Sequence, residues 1–178
     1  SPLSFNGIKA AIKSGDPDAF LGTFEFYPQE GKYHLDGHRN CQIRLNPRET
    51  MDFEGKCPVC GKALTLGVLN RVEELADRSQ GLKPPSHCPY HSIIPLAEIF
   101  SDILRVGVKS KKVKTNYQKA LTQLGSEFNI LHTLETDKIN SAGIPLLGEA
   151  IRRMRQKEVE IMPGYDGEYG RIKIFNSD

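Results

Sequence analysis

The chain has 178 residues, with 24 lysines and arginines against 22 acidic residues, a net charge of +2 and a pI near 8.3. That length allows one domain or two small ones, and so weak an excess of positive charge does not by itself argue for a nucleic-acid partner. No apolar run approaches the roughly 18 residues of a transmembrane span and no signal peptide is evident, so a soluble, cytoplasmic protein is expected.

In chain order, Ser4 can cap a helix whose apolar positions are Ile8, Ala11 and Ile12, with Gly15 as its stop. Residues 19–27, rich in β-formers, predict a strand, and 32–35 a second short one. Asn46-Pro47-Arg48-Glu49 starts a short helix or turn. Residues 66–78 predict a helix with Leu69, Val72, Leu75 and Ala76 on one face and Glu73, Glu74, Asp77 and Arg78 on the other. Residues 79–92, with Gly81, Pro84, Pro85 and Pro89, predict a loop.

Beyond it the pattern is helical. One stripe is Leu96, Ile99, Phe100, Ile103 and Leu104; another is Tyr117, Ala120, Leu121 and Leu124, stopped by Gly125; a shorter one is Phe128, Leu131 and Leu134. Residues 144–154 predict a last helix, with Pro145 in its first turn and Leu147, Ile151 and Met154 inward. A glycine-rich turn at 164–170 then leads into an alternating strand. The pattern is α+β: a helix–strand opening, a small metal-binding segment, then a mostly helical portion ending in a short strand.

Hydrophobic residues make up only 38% of the chain, which leaves room for a portion stapled by metal rather than by a large core. Four cysteines, two of them in Cys57-Pro58-Val59-Cys60-Gly61-Lys62, point to metal binding in a reducing compartment rather than to a disulfide framework. Thiolates at that spacing can converge on one Zn²⁺ while Gly61 turns the chain back beneath it. His38 and Cys41, just upstream, would complete a His-Cys₃ site in one compact ribbon. Cys88-x-x-His91 is a rival pair of equal local spacing, but a predicted helix separates it from Cys60, so His38 and Cys41 are favoured. Four protein ligands make a structural rather than a catalytic site. The zinc-deaminase pattern is not met, because Lys56 precedes Cys57 and no His-x-Glu occurs, and no βαβ unit surrounds the pair to suggest thioredoxin-like redox work.

Charge is concentrated in two places. Lys109, Lys111, Lys112 and Lys114 crowd what reads as a loop between helices, and Arg152, Arg153, Arg155 and Lys157 crowd the end of the last helix. Lysine loops are usually only solvated, and cations at a helix C-terminus favour the dipole. Two such clusters flanking a helical hairpin, with a glycine-rich turn near them, also suit phosphates, which backbone amides in turns can hold.

Three groups of residues resemble endonuclease Q, a PHP-domain DNA-repair nuclease family. They are GKYHLDGHRNC (31–41) with CPVCGKALTLGVLNRVEELADR (57–78), IIPLAEIF (93–100) with LGSEFNIL (124–131), and IRRMRQKEVEIMPGYDGEYGRIKIF (151–175). The resemblance implies an enzyme that nicks duplex DNA 5′ to deaminated bases such as uracil and hypoxanthine, or at abasic sites, on divalent metals in its PHP domain. None of the five histidines here forms His-x-His, and no P-loop occurs to support a helicase. The chain, beginning at Ser1 without Met, is therefore expected to be the C-terminal portion of such a protein and inactive alone. Residues 1–36 would be the end of the PHP domain, 37–66 a zinc ribbon and 67–178 a helical DNA-binding domain.

On that reading Lys109, Lys111, Lys112, Lys114, Arg152, Arg153 and Tyr165 are candidate DNA contacts. Glu127, Asn129, Asp166 and Tyr169, with Glu168 beside them, are candidates for a pocket that reads an extruded base by stacking and hydrogen bonding. Structural zinc is the expected cofactor of this portion, and chromosomal DNA in the nucleoid its expected partner. Two other readings stay open: a zinc-ribbon module that docks a protein, and a stand-alone enzyme with an open zinc position.

Overall fold

The computed structural model describes residues 3–79, 81–83 and 87–175. It contains seven α-helices and six three-residue strands among those residues, with no sheet of more than two strands. No helix is long and apolar enough to cross a membrane.

Helix α1 (Phe5–Ser14) is capped as expected, the Gly7 amide donating to Ser4 Oγ at 3.1 Å and Gly15 closing the helix at φ 64°. Its apolar face is not buried: Phe5, Ile8 and Ile12 are 77%, 53% and 55% exposed. Strand β1 (Thr23–Glu25) is shorter than the 19–27 stretch predicted. Its parallel partner, β4 (Tyr90–Ser92), offers only three residues, and it lies within the segment expected to be loop. The pairing joins positions too far apart for local pattern to reveal. Pro84 and Pro85 of that segment lie outside the described residues.

Strands β2 (Asp36–His38) and β3 (Ile43–Leu45) pair antiparallel, and helix α2 (Pro47–Asp52) follows. Asn46 and Glu49 form a capping box at its start, with Asn46 N donating to Glu49 Oε2 at 2.7 Å. Of residues 32–35, expected to be a strand, 32–34 form a turn and Leu35 makes only an isolated bridge to Tyr165, because the backbone of this segment bonds the glycine-rich loop instead: Leu35 N donates to Gly164 O and Gly167 N to Lys32 O.

Helix α3 (Val68–Leu75) is shorter than the 66–78 predicted and is rotated from its expected face. Val72 and Leu75 are 55% and 65% exposed, while Asn70 and Glu73 turn toward the ribbon. The cause is Asp36, whose carboxylate is fully buried. It accepts from Thr50 Oγ1 at 2.6 Å, Gly67 N at 2.6 Å and Asn70 Nδ2 at 2.7 Å, so α3 is docked by polar groups rather than by its apolar stripe. Glu73 adds an exposed ion pair to Arg48.

Helices α4 (Leu96–Leu104) and α5 (Lys111–Leu124) match their predicted stripes. Lys111, Lys112 and Lys114, read from sequence as loop, instead form the first turn of α5, capped by Ser110 Oγ. Residues Asn129–Thr133 form a π-helical turn, followed by α6 (Thr136–Ser141), which periodicity did not indicate. Helix α7 (Leu147–Gln156) begins after Pro145 rather than around it, since Leu146 takes φ 60° and breaks the helical run. Strands β5 (Glu160–Met162) and β6 (Arg171–Lys173) make an antiparallel hairpin around the glycine-rich loop.

The main core is built from Leu96, Ile99, Phe100, Ala120, Ile130, Ile139, Leu147, Ile151 and Met154, all essentially without exposure. Tyr27, from the opening segment, and Ile174, from the tail, join the same core. The ribbon has only a small core of its own: Leu45, Cys57 and Leu64, with Cys41 and Ile43 against them.

Where β1 and β4 meet the π-helical turn, four rings gather. Phe24 stacks on His91 at 5.2 Å between centroids and meets Phe128 and His132 edge-on at 4.5 and 4.7 Å; His91 and His132 are 4.9 Å apart. Burial holds the His132 imidazole below its ordinary 6.5, helped by His91 and Arg155, and burial likewise lowers His34.

Two outcomes follow. Asp36→Ala strands three donors and should cost about 3 kcal/mol in urea denaturation, whereas Asp52→Ala on the exposed end of α2 should change stability by less than about 0.5 kcal/mol. Because the unfolded chain binds more protons than the native one at His132 and His34, their contribution is fully present above about pH 6.5 and is lost as pH falls below it. The urea midpoint should therefore drop between pH 7.5 and 5.5, with a shallower drop in His132→Gln.

Candidate metal centre and basic surface

The turn that carries Cys57 and Cys60 is closed by its own backbone. Cys57 N donates to Lys62 O at 2.7 Å, Gly61 N donates to Cys57 O at 2.8 Å, Lys56 bridges Ala63, and Gly61 sits at φ 69°. His38 ends β2, and Cys41 ends a single 3₁₀ turn, after which Gln42 takes φ 55° to enter β3. These two pieces are held in register by Gly37 and Thr65, which exchange both backbone hydrogen bonds at 3.0 and 2.9 Å.

The outcome is convergence: one ligand atom each from His38, Cys41, Cys57 and Cys60 lies within 4.8 Å of the other three. Cys60 Sγ and His38 Nδ1 are 3.4 Å apart, close to the roughly 3.5 Å edge of a tetrahedron with sulfur and nitrogen at ordinary zinc distances. Burial, followed by hydrogen bonding and charge from Cys60 and Cys57, pushes the Cys41 thiol up to about 11. Burial raises Cys57 too, but the Cys60 and Val59 amides and the side chains of Cys60 and His38 outweigh it and bring that thiol down to about 7. Thiols this close oppose one another's ionisation until a cation offsets the charge, so the donor set fits a metal ion. The rival pair is elsewhere: His91 packs on Phe24, and Cys88 is exposed.

The ribbon is latched to the β5–β6 loop. Asp166 accepts from Arg39 N and Thr65 Oγ1, both at 2.6 Å, and the Arg39 amide, then Thr65, hold its carboxyl below the usual range. Tyr165 is only 4% exposed, its ring lying where a side chain on Gly37 would have to go, with the Arg44 guanidinium 5.1 Å from its centroid. The amides of Gly164, Gly167 and Gly170 donate to Gln29, Lys32 and Glu30 carbonyls, so they are engaged within the fold and are not turned to an outside phosphate.

Other sequence candidates also have internal partners. Glu127 accepts from Leu96 N and Tyr117 Oη, both at 2.8 Å, and Asn129 Nδ2 donates to Leu124 O at the end of α5. Arg152 binds Glu149, Gln156 and Glu158. Arg153 binds Glu149 and the Ile174 carbonyl and lies 5.1 Å from the Phe175 ring centroid. Arg152, then Arg153, hold the Glu149 carboxyl down to about 2. Arg155, noticed in sequence only as part of a charge cluster, donates to the carbonyls of Ile130, Leu131 and Leu134 and so completes the π-helical turn. A lone arginine far along the chain carries no local signal for such a partner.

Two sets of candidates do face solvent. Tyr169 is 70% exposed with Lys32 beside its ring. Lys109, Lys111, Lys112 and Lys114 are exposed and form no ion pair among the described residues. Three of the four lie in the first turn of α5, which contains no acidic residue. Cations there oppose the helix dipole, an arrangement an anion would relieve.

The profile of the MJ0043 C-terminal domain matches residues 95–158. The chain is 33% identical over 171 residues to the protein MJ0043 of Methanocaldococcus jannaschii, covering 96% of this chain and 21% of that one. It is 27% identical to YqxK of Bacillus subtilis, covering 95% of this chain and 40% of the other. Among solved structures it is similar to the lesion-specific endonuclease PfuEndoQ from Pyrococcus furiosus, with a TM-score of 0.80 and 32% identity over 100% of this chain and 45% of that one. It is also similar to an endonuclease Q crystallised with a 27-mer duplex substrate carrying an abasic lesion at the active site, with a TM-score of 0.76 and 33% identity over 99% of this chain and 44% of that one. The chain thus spans less than half the length of each of these proteins. Over its whole length the chain is similar in fold and sequence to a part of these endonuclease Q proteins.

Proposed function

We propose that this chain is the DNA-gripping portion of a repair endonuclease, with the nicking chemistry carried on metal ions held by residues outside these 178. The observation that carries the reading is the whole-chain likeness to a protein crystallised on duplex DNA with an abasic lesion. Abasic sites and deaminated bases such as uracil and hypoxanthine are the proposed lesions. The ribbon, on this reading, binds Zn²⁺ through His38, Cys41, Cys57 and Cys60, a closed set that supplies rigidity rather than a reactive water. Lys109, Lys111, Lys112 and Lys114 then meet phosphates at the amino end of α5, where charge and dipole act together. Exposed Tyr169 is the candidate to touch a base at the hairpin loop. Such work places the protein with chromosomal DNA. A division into 1–36, 37–66 and 67–178 remains a useful working scheme, although Tyr27 packs with the helices.

A second reading is favoured by α1, whose apolar face is open: a zinc-ribbon module that docks a protein partner through that helix. Salt separates the two. Phosphate binding gives a steep fall in affinity with ionic strength, and a protein module gives no DNA binding.

Purified protein should carry about one zinc per chain, and cobalt exchange should give thiolate charge-transfer absorption that Cys57→Ser greatly weakens. Chelation should loosen the ribbon yet leave most helical circular dichroism, because the helical core does not include the ribbon. Less than about a tenth of an equivalent of metal, with an unchanged fold in strong chelator, would overturn the zinc assignment. In fluorescence anisotropy with matched and uracil- or abasic-containing duplexes, Lys111→Ala and Lys112→Ala should each weaken binding uniformly and flatten the log–log salt slope by about one. Unchanged slopes would remove the α5 lysines from the interface.

A further inference from the structure

The ring cluster at the β1–β4 junction belongs neither to the metal centre nor to the lysine surface. Phe24, His91, Phe128 and His132 come from three separate segments and pack ring against ring, yet Phe24 is 37% and Phe128 49% exposed. Core aromatics are buried, and surface aromatics usually occur singly; a contiguous exposed cluster marks a binding surface. It borders a groove lined by Tyr90, His91, Ser92, Ile93, Leu131, His132, Met154, Arg155 and Lys157. That lining holds two cations and no carboxylate. Lys157 Nζ stands 4.4 Å from the Tyr90 ring centroid, putting positive charge beside a second exposed π-face.

We propose that this surface is a stacking platform for an unpaired nucleobase, with Phe24, Phe128 and His132 meeting the base and Lys157 its flanking phosphate. Charge selects the occupant: flat rings beside two cations, with no acid among the lining residues, match a heteroaromatic base on an anionic backbone. Burial and the neighbouring His91 hold the His132 imidazole below its ordinary range, which favours its neutral face at neutral pH. An unpaired base is what a duplex offers opposite an abasic site or where a nucleotide has been extruded, so the inference rests on the proposed DNA grip and adds a second contact to it.

The test is binding of the full chain to a single-stranded decamer carrying one 2-aminopurine, compared with a decamer of the same charge whose central nucleotides are abasic. Base–aromatic stacking should make the base-bearing strand bind roughly 5- to 150-fold more tightly, with 2-aminopurine fluorescence quenched in the complex. Phe128→Ala, at an exposed position, should remove most of that preference and the quench, Phe128→Tyr should keep both, and Lys111→Ala should weaken the two strands equally. Equal binding of both strands by the parent chain, or an undiminished preference in folded Phe128→Ala and His132→Ala, would overturn the platform. The DNA grip would then still stand on salt-sensitive duplex binding. Failure to bind any DNA at low salt overturns both, as does self-association that Phe128→Ala abolishes with no DNA binding.

Discussion

A buried carboxylate organises the ribbon. Asp36 has no exposed surface, and its oxygens accept from a hydroxyl in α2, from the amide just before α3 and from a side-chain amide within α3. A charge withdrawn from water is tolerable only when it is satisfied in this way. The geometry that satisfies it fixes where α2 and α3 stand relative to β2. His38 is two residues along the same strand, so the placement of one candidate metal ligand depends on the same anchor. The ribbon's small core of Leu45, Cys57 and Leu64 could not alone impose that order.

The second constraint is the glycine-rich loop between β5 and β6. Its amides bond the 29–35 segment, Asp166 grips Arg39 and Thr65, and Tyr165 lies against Gly37. A Cβ on Gly164 or Gly170 would sit 2.5 or 2.1 Å from a backbone oxygen, so glycine is required there for close approach of two chains. The tail hairpin, whose end reaches the helical core through Ile174, is thereby bound to the ribbon as well. The amides of Gly164, Gly167 and Gly170 are spent on this latch.

The lysine and ring surfaces differ in character. The α5 lysines present charge against the dipole of their own helix, and the ring cluster presents π-surface beside Lys157, while Arg155 next to it is committed to the carbonyls of Ile130, Leu131 and Leu134. By contrast Arg152 and Arg153 are tied to Glu149, and neither is a loose cation. One kind of surface suits the backbone of a duplex and the other a base that has left its stack.

The sequence by itself determined the clustering of His38, Cys41, Cys57 and Cys60 as a candidate metal knuckle, the caps at Ser4 and Asn46, and the stripes of α4, α5 and α7, because each is a local matter of spacing and backbone chemistry. The resemblance to endonuclease Q was likewise legible in short runs of residues. Only the tertiary structure decided the rest. It paired β1 with β4 across more than sixty positions, turned α3 so that Asn70 rather than Val72 faces inward, and left the apolar side of α1 open. It also gave Glu127, Asp166, Tyr165 and Arg155 structural partners far from their places in the chain. Local pattern says which groups are polar, apolar or flexible; which partner satisfies a carboxylate, a guanidinium or a strand edge is settled by what the fold brings within hydrogen-bonding distance.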